Sequence, residues 1–250
     1  MTLRRPLLKG EYGIDAPYVP ILMLLGATAL GFGTGRALWR GDVVGLLMMG
    51  VSTVFLLLCA GTYLFATRIG KLVVWDELLA SLNLRGDERI LDVGCGRGAV
   101  LLLAAQRLRS GLATGIDLWQ AQDQSGNALQ ATQDNVIAVG VSRCVELHTG
   151  DMRQLPFTDQ SFDVIVSSLA IHNVPDAAGR ARAVQEIARV LKPGGQVLLA
   201  DFKYVGDYAK TLRESGLTEV QTRSLGPRFW YGGPWAATSL VTGRRRLVEG

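Results

Sequence analysis

Two hydrophobic patterns divide the chain. Up to residue 67 the apolar residues run on without interruption: Ala16 to Gly35 carries no charge in twenty residues, and Val43 to Thr67 none in twenty-five. A helix needs about twenty such residues to cross a bilayer. The pattern therefore predicts two transmembrane helices, about 16–38 and 43–67, making residues 1–67 a membrane anchor. Only Arg36-Ala-Leu-Trp-Arg-Gly-Asp42 lies between them, which predicts a tight antiparallel hairpin. Trp39, Tyr18 and Tyr63 fall where interfacial aromatics are expected. Ala27, Gly31 and Gly35, with Gly41 and Gly45, follow the small-xxx-small spacing that brings helices close, within the hairpin or between copies of the chain. The leading polar region is too long for a signal peptide, no A-x-A site follows, and a second apolar run comes at once.

After residue 67 the apolar positions become periodic. Ile69, Leu72, Val73, Leu78, Leu79 and Leu82 recur at helical spacing and predict an amphipathic helix over Arg68 to Leu84, ended by Gly86 and Asp87. From Arg89 onward strands and helices alternate. The predicted strands are Arg89–Val93, Ala113–Leu118, Val145–Thr149, Ser161–Leu169, Gln196–Asp201, Val220–Ser224 and Ala237–Arg244. The predicted helices are Ala99–Arg109, Gly126–Val139, Ala177–Leu191 (stopped by Lys-Pro-Gly-Gly) and Tyr208–Ser215. Such alternation implies an α/β domain over 68–250, with a parallel sheet covered by helices on both faces. The run FDVIVSSLA suits the centre of that sheet.

Charge refines this division. Hydrophobic residues make up 48% of the chain, high for a soluble enzyme. Seven of the 26 Lys/Arg and three of the 22 Asp/Glu precede Asp76, so the net charge of +4 resides there and the remainder is neutral. A neutral domain lacks the basic footprint of a nucleic-acid binder. Arg4, Arg5, Lys9, Arg68 and Lys71 flank the hairpin on one side, against Arg36 and Arg40 in its turn. The positive-inside rule then places the C-terminal domain in the cytoplasm. The three cysteines are scattered and without metal-ligand spacing, and read as reduced thiols.

The stretch with the most chemistry is Ile90 to Gly98, ILDVGCGRG. A strand runs into a glycine turn that opens a helix, a local structure that exposes backbone N–H groups and positive potential to a ligand. GCGRGA fits the dinucleotide pattern G-x-G-x-x-G/A and also the G-x-G-x-G of another nucleotide-binding class. Asp92 favours the second, because a carboxylate there suits an ammonium and repels a pyrophosphate. Asp117, about twenty residues past the last glycine, can accept hydrogen bonds from ribose hydroxyls in either class.

DVGCGRG at 92–98, GID at 115–117, GDMRQLPF at 150–157, SFDVIVSSLAIHNVPD at 161–176 and LKPGGQVLLAD at 191–201 occur in one order. In that order they resemble the motif series of class I S-adenosylmethionine-dependent methyltransferases, in particular the small-molecule branch of the ubiquinone/menaquinone-biosynthesis type. The resemblance covers about Leu72 to Arg246 and leaves the hairpin outside. It implies a Rossmann-like, seven-stranded, mostly parallel sheet with an antiparallel strand at the C-terminus. It also implies S-adenosylmethionine as cofactor. Asp92 and the turn formed by Gly94, Cys95, Gly96 and Gly98 would hold the methionine moiety, with Asp92 near its amino group. Asp117 would bind the ribose diol and Leu118 would lie against the adenine. Asp151 would accept the adenine amine, Met152 would back the ring, and Ser168 and Leu169 would face the methyl group.

Methyl transfer from a sulfonium is an in-line displacement in which positioning supplies much of the rate. A base is required only for a protonated nucleophile. His172, directly after the fourth strand, and Asn173 are the candidate catalytic residues, as base and as orienting group; His148, within a strand, reads as structural. Phe229, Trp230, Tyr231 and Trp235 either pack the last hairpin or the membrane interface, or cap an apolar substrate pocket. Ala-Ile-His-Asn stands where amino-directed nucleic-acid methyltransferases place Asn/Asp-Pro-Pro-Tyr/Phe, and the paired glutamates of arginine methylation are missing. These features favour a membrane-anchored enzyme acting on a hydrophobic small molecule or lipid. The alternatives are a soluble or protein acceptor, and a cofactor-binding membrane protein without turnover.

Overall fold

The computed structural model describes residues 9–247. Arg4 and Arg5, counted above among the charges flanking the hairpin, lie outside them. The two uninterrupted apolar stretches form α1 (Tyr18–Arg40) and α2 (Val43–Phe65), packed against each other as an antiparallel pair. Asp42 in the turn accepts the N–H of Gly45 at 2.9 Å, so the one acidic residue between the helices is the N-cap of α2. The contact line keeps part of the predicted stripe: Ala27 is buried, Gly31 faces Thr53 and Gly45 faces the Ala37 methyl, whereas Gly35 and Gly41 look into open space. Outside the stripe, Ala37 is buried and Gly26 and Gly33 face Leu56 and Met49. The partner's large side chains choose which small residues are used, and Leu56 and Met49 require the gaps at 26 and 33.

The boundary placed at 67/68 falls inside a single helical rod. One π-type turn, Ala66–Gly70, joins α2 to α3 (Lys71–Ser81), so helix continues from Val43 to Ser81. Tyr63 is consequently buried rather than interfacial, and its hydroxyl donates to the carbonyl of Asp15 at 2.7 Å.

Beyond the rod the chain alternates as the periodicity predicts: β1 (Arg89–Val93), α4 (Ala99–Ala105), β2 (Leu112–Asp117), α5 (Leu129–Val139), β3 (Val145–Thr149), β4 (Phe162–Ser168), α6 (Ala177–Val190), β5 (Leu191–Asp201), α7 (Val205–Glu214), β6 (Leu217–Ser224) and β7 (Ser239–Arg245). The seven strands form one sheet in the order β3-β2-β1-β4-β5-β7-β6. All neighbours are parallel except β7, which is antiparallel to both β5 and β6. Successive side chains of a strand point to opposite faces. Ile90 and Val164 accordingly join Trp75, Leu79, Leu101 and Leu102 under α3 and α4, while Leu91, Val93 and Ile165 join Ile187 and Leu212 under α6 and α7.

Two strands start several residues early, β6 by three residues (Leu217 rather than Val220) and β5 by five. The Lys192–Gly195 segment read as a helix stop already belongs to β5, where five residues from Leu191 to Gln196 are spanned while β4 advances only from Phe162 to Val164. The resulting bulge accommodates Pro193, which has no N–H to offer a regular ladder.

Residues 9–17 leave the hairpin and cross the α/β domain as a strap. Asp15 pairs with Gln124 in an antiparallel bridge, the N–H of Ser125 donates to the carbonyl of Ile14 (2.9 Å), and the N–H of Glu11 donates to Asn135 Oδ1 (2.9 Å).

Candidate active site

The strand order reverses between β1 and β4, and open α/β sheets bind ligands outside the carboxyl ends of the strands at such a switch point. A cavity of about 390 Å³ opens there, within the size range of small-molecule sites. It is lined by Asp92, Gly94, Cys95, Gly96, Asp117, Leu118, Asp151, Met152, Ser168, Leu169 and Asn173, which brings together nearly all the residues singled out above. Gly98, at φ +84°, forms the N-cap of α4 just behind the cavity. His172 stands beside the cavity rather than in its lining.

The glycine turn is held from several sides. Gly94 adopts φ +74°, and a Cβ there would collide with Ala170, so only glycine lets the turn come this close to the end of β4. Asp117 Oδ2 accepts the N–H of Gly96 (2.9 Å), while Oδ1 accepts the N–H of Trp119 (2.6 Å) and Asn127 Nδ2 (3.2 Å). From α5, Thr132 donates to the Gly96 carbonyl (2.8 Å) and Asn135 to that of Arg97 (2.9 Å). Three non-glycine residues with positive φ, Trp119, Leu169 and Tyr204, immediately follow or lie close after β2, β4 and β5. Backbone strain of this kind concentrates at functional sites.

Asp92 is 1% exposed and its Oδ1 has no hydrogen-bond partner among the described residues. Burial lifts its pKa to about 7, with nearby Asp117 adding to the rise and Lys71 opposing it. A buried carboxylate oxygen without a partner, at the edge of a ligand-sized cavity, is a place for a cationic donor from a ligand. Asp151 is differently placed. Arg153 clamps it through Nε (3.0 Å to each oxygen) and Nη2 (2.6 Å), and hydrogen bonds from Arg153 hold its pKa below the usual carboxylate value. Ser168 Oγ accepts the indole N–H of Trp75 at 2.8 Å, which ties the end of β4 to α3.

A second wall of the cavity escaped the sequence reading. Asp15 of the strap and Lys71 at the start of α3 both line the cavity. Lys71 Nζ lies 2.8 and 2.7 Å from the two oxygens of Asp15. Thr67 (2.9 Å), Tyr231 (2.7 Å) and Gln124 (3.0 Å) donate to the same carboxylate. Burial pulls the Asp15 pKa up, but the Lys71 ammonium and the hydrogen bonds from Lys71, Tyr231 and Thr67 outweigh it and hold the group below its ordinary value. Gln124 also accepts the N–H of Arg97 through Oε1 (2.9 Å). The glycine turn is thus linked to the rod through two side chains. The only sequence signal for this wall is that Asp15 directly precedes one long apolar run and Lys71 lies just past the other, behind Arg68.

His172 Nδ1 is 2.9 Å from Asp201 Oδ1, close enough for an ion pair but not aligned as a hydrogen bond. Asp201, 1% exposed, also accepts from the backbone N–H of His172 (3.2 Å) and the hydroxyl of Tyr208 (3.2 Å). The aromatic residues 229–235 lie away from the cavity, except that Tyr231 reaches Asp15. His148 makes an edge contact with Phe157, as its structural reading expects.

Residues 91–199 match the family model described as a methyltransferase domain. The 27-O-demethylrifamycin SV methyltransferase of Amycolatopsis mediterranei is 34% identical over 158 residues, 60% of this chain and 54% of that protein. The ubiquinone/menaquinone biosynthesis C-methyltransferase UbiE of Geotalea daltonii is 36% identical over 115 residues, 46% of this chain and 45% of that protein. The chain thus spans about half the length of these curated relatives. Among solved structures, a phosphoethanolamine N-methyltransferase of Haemonchus contortus in complex with S-adenosylhomocysteine superposes with a TM-score of 0.55 at 16% identity, covering 68% of this chain and 52% of that one. The [4+2]-cyclase SpnF does so with a TM-score of 0.55 at 23% identity, covering 69% and 80%. At such identities the likeness concerns the fold, which hosts more than one chemistry.

Proposed function

We propose that residues 91–199, which match a methyltransferase-domain model, form a class I S-adenosylmethionine-dependent methyltransferase domain, and that the whole chain uses it to methylate a hydrophobic small molecule or lipid at a membrane surface. The observation that carries the cofactor assignment onto these residues is Asp92, whose partnerless buried oxygen at the glycine turn matches the ammonium of a methionine moiety. Asp117, fixed by three N–H donors, holds the ribose hydroxyls. Leu118 and Met152 flank the adenine, whose amine shares Asp151 with Arg153. Bound there, the cofactor supplies an electrophilic methyl group on a sulfonium.

Ser168 and Leu169 at the end of β4 shape the methyl end, and Asn173 orients the acceptor oxygen or sulfur. For a protonated acceptor, His172 takes the proton. Replacing His172 by Asn then lowers turnover while leaving the dissociation constant for the cofactor unchanged.

α1 and α2 act as a two-helix transmembrane anchor that keeps the catalytic domain on the cytoplasmic face. Each has 23 residues, and only 11% of the most apolar window of each candidate span is buried within the structure. Large apolar side chains such as Leu22, Phe32, Val44 and Met48 are therefore left exposed, unlike those of a core helix. Domain 68–250 follows this anchor without a linker. Resistance of the membrane-bound protein to alkaline extraction tests the anchor. Calorimetric titration of the detergent-purified protein with S-adenosylmethionine and S-adenosylhomocysteine tests the site. Transfer of labelled methyl into a membrane lipid extract identifies the acceptor class. Absence of binding by the folded protein overturns the enzymatic reading.

A further inference from the structure

The segment between β6 and β7 climbs one face of α2. Tyr231 meets Tyr63 edge-on with ring centroids 5.0 Å apart. Gly232 lies beside the carbonyl of Cys59 and the tip of Met23. Trp235 stacks at a tilt on Phe55, with centroids 5.5 Å apart. Positions 63, 59 and 55 are spaced by four and share one face of the helix. Phe55 is ten residues before the end of α2, about 15 Å at the helical rise of about 1.5 Å per residue. The tip of the segment is therefore level with the interior of the apolar hairpin and not with its edge.

Three further observations suit this segment to a medium without water. No charged residue occurs from Phe229 to Gly243. Arg228, the last charge before it, is held at the base by a bidentate pair with Glu77 (2.7 and 2.7 Å), where its carbonyl abuts Gly70 so closely that a Cβ would collide. Part of the backbone of the segment is also paired within the segment. Tyr231 N–H donates to Ala236, Gly232 to Trp230, Ala236 to Gly233 and Thr238 to Phe229, all at 3.1–3.2 Å. Non-helical backbone at membrane depth is tolerated where it is buried in protein, and Tyr231, Gly232 and Gly233 are buried against the hairpin. Trp235 nevertheless presents 63% of its surface outward, next to Phe55 of α2, itself half exposed.

We propose that residues Phe229–Ala236 form a wedge that is immersed in the bilayer alongside α2, with the Trp235 indole among the lipid acyl chains. This rests on the reading of α1 and α2 as a transmembrane hairpin. The wedge joins the membrane to the cavity wall, because Tyr231 at its base donates to Asp15.

The test uses the full chain reconstituted into phosphatidylcholine/phosphatidylglycerol vesicles, with acyl chains either plain or brominated near their middle. Comparing wild type with Trp235→Phe isolates the emission of that indole from the other four tryptophans. Equal thermal stability of the two proteins shows that the fold is kept. The expected result is loss of most of this Trp235 emission in brominated vesicles and little loss on adding aqueous iodide. Quenching by iodide instead places Trp235 in water and overturns the wedge. Emission quenched by neither means that protein, such as a second copy of the chain, covers it, which also overturns the proposal. Alkaline extraction of the same vesicles separates the two readings. Retained protein with an unquenched Trp235 leaves the anchor standing without the wedge, whereas extracted protein removes both.

Discussion

The two walls of the cavity are built on different principles. The wall made by the glycine turn is local: Asp92, Gly94, Gly96 and Asp117 come from two adjacent strands and the turn between β1 and α4, and backbone N–H groups do much of the holding. The second wall gathers segments from the whole length of the chain onto one carboxylate. Asp15 receives Lys71, Thr67, Tyr231 and Gln124, the farthest of them 216 positions away. A local wall is stable wherever its strand–turn–helix unit folds. A wall centred on a buried ion pair depends on every contributor, since a charge left alone in the interior costs more than the pair contributes.

The sharpest way to break this contrast is to remove that carboxylate. Asp15→Ala leaves Lys71 buried without its counter-charge and is expected to destabilise the protein by about 3–5 kcal/mol, read as a lower midpoint in chemical unfolding. Replacing both partners, Asp15→Leu with Lys71→Met, is expected to recover much of the loss. Equal losses in the single and double variants would show that a stranded Lys71 charge is not the source of the cost. On the local wall, Asp117→Ala removes charge-assisted hydrogen bonds to the ribose, at about 1.5–3 kcal/mol each. S-adenosylmethionine binding measured by calorimetry should fall roughly 100-fold or more, with the Asp15–Lys71 pair intact.

Asp92 makes a pH-dependent prediction. Its folded-state pKa of about 7 lies above the ordinary carboxylate value, so between those two values the folded protein holds a proton that the unfolded chain has released. Without ligand, stability therefore declines as pH rises across that window. An ammonium ligand binds the ionised form. Cofactor affinity should weaken about tenfold per unit below pH 7, and the profile should flatten in Asp92→Asn. The smallest effect is expected at the exposed Arg228–Glu77 pair, where Arg228→Ala should cost about 0–1 kcal/mol.

The same contrast explains how much could be read from the sequence. The alternation of strands, the glycine turn and its two aspartates are encoded within short windows, and strands β1 and β3 match their expected ends. The C-terminal antiparallel pair follows from the resemblance rather than from periodicity. Asp15 and Lys71 had no such window, because their partnership arises only when the strap folds back over the domain. His172 was readable as following β4, but its separation from the cavity lining depends on the rotation of the one-turn segment Ile171–Asn173. The helix-contact line of the hairpin was only partly legible, since the bulk of Met49 and Leu56 on the partner decides the rest. The boundary at 67/68 misled for a related reason: hydrophobicity changes there, while the helix does not.

That unbroken rod from Val43 to Ser81 has a phase as well as a length. Each residue of a helix turns the ones beyond it by about 100°, and the π-type turn at Ala66–Gly70 sets where that rotation stands when the chain reaches Lys71. A single residue added or deleted there would swing Lys71 off the strap and Trp75 off Ser168 together. The angular registration of cavity to apolar hairpin is thus stored in a count of residues, in a helix that no loop interrupts.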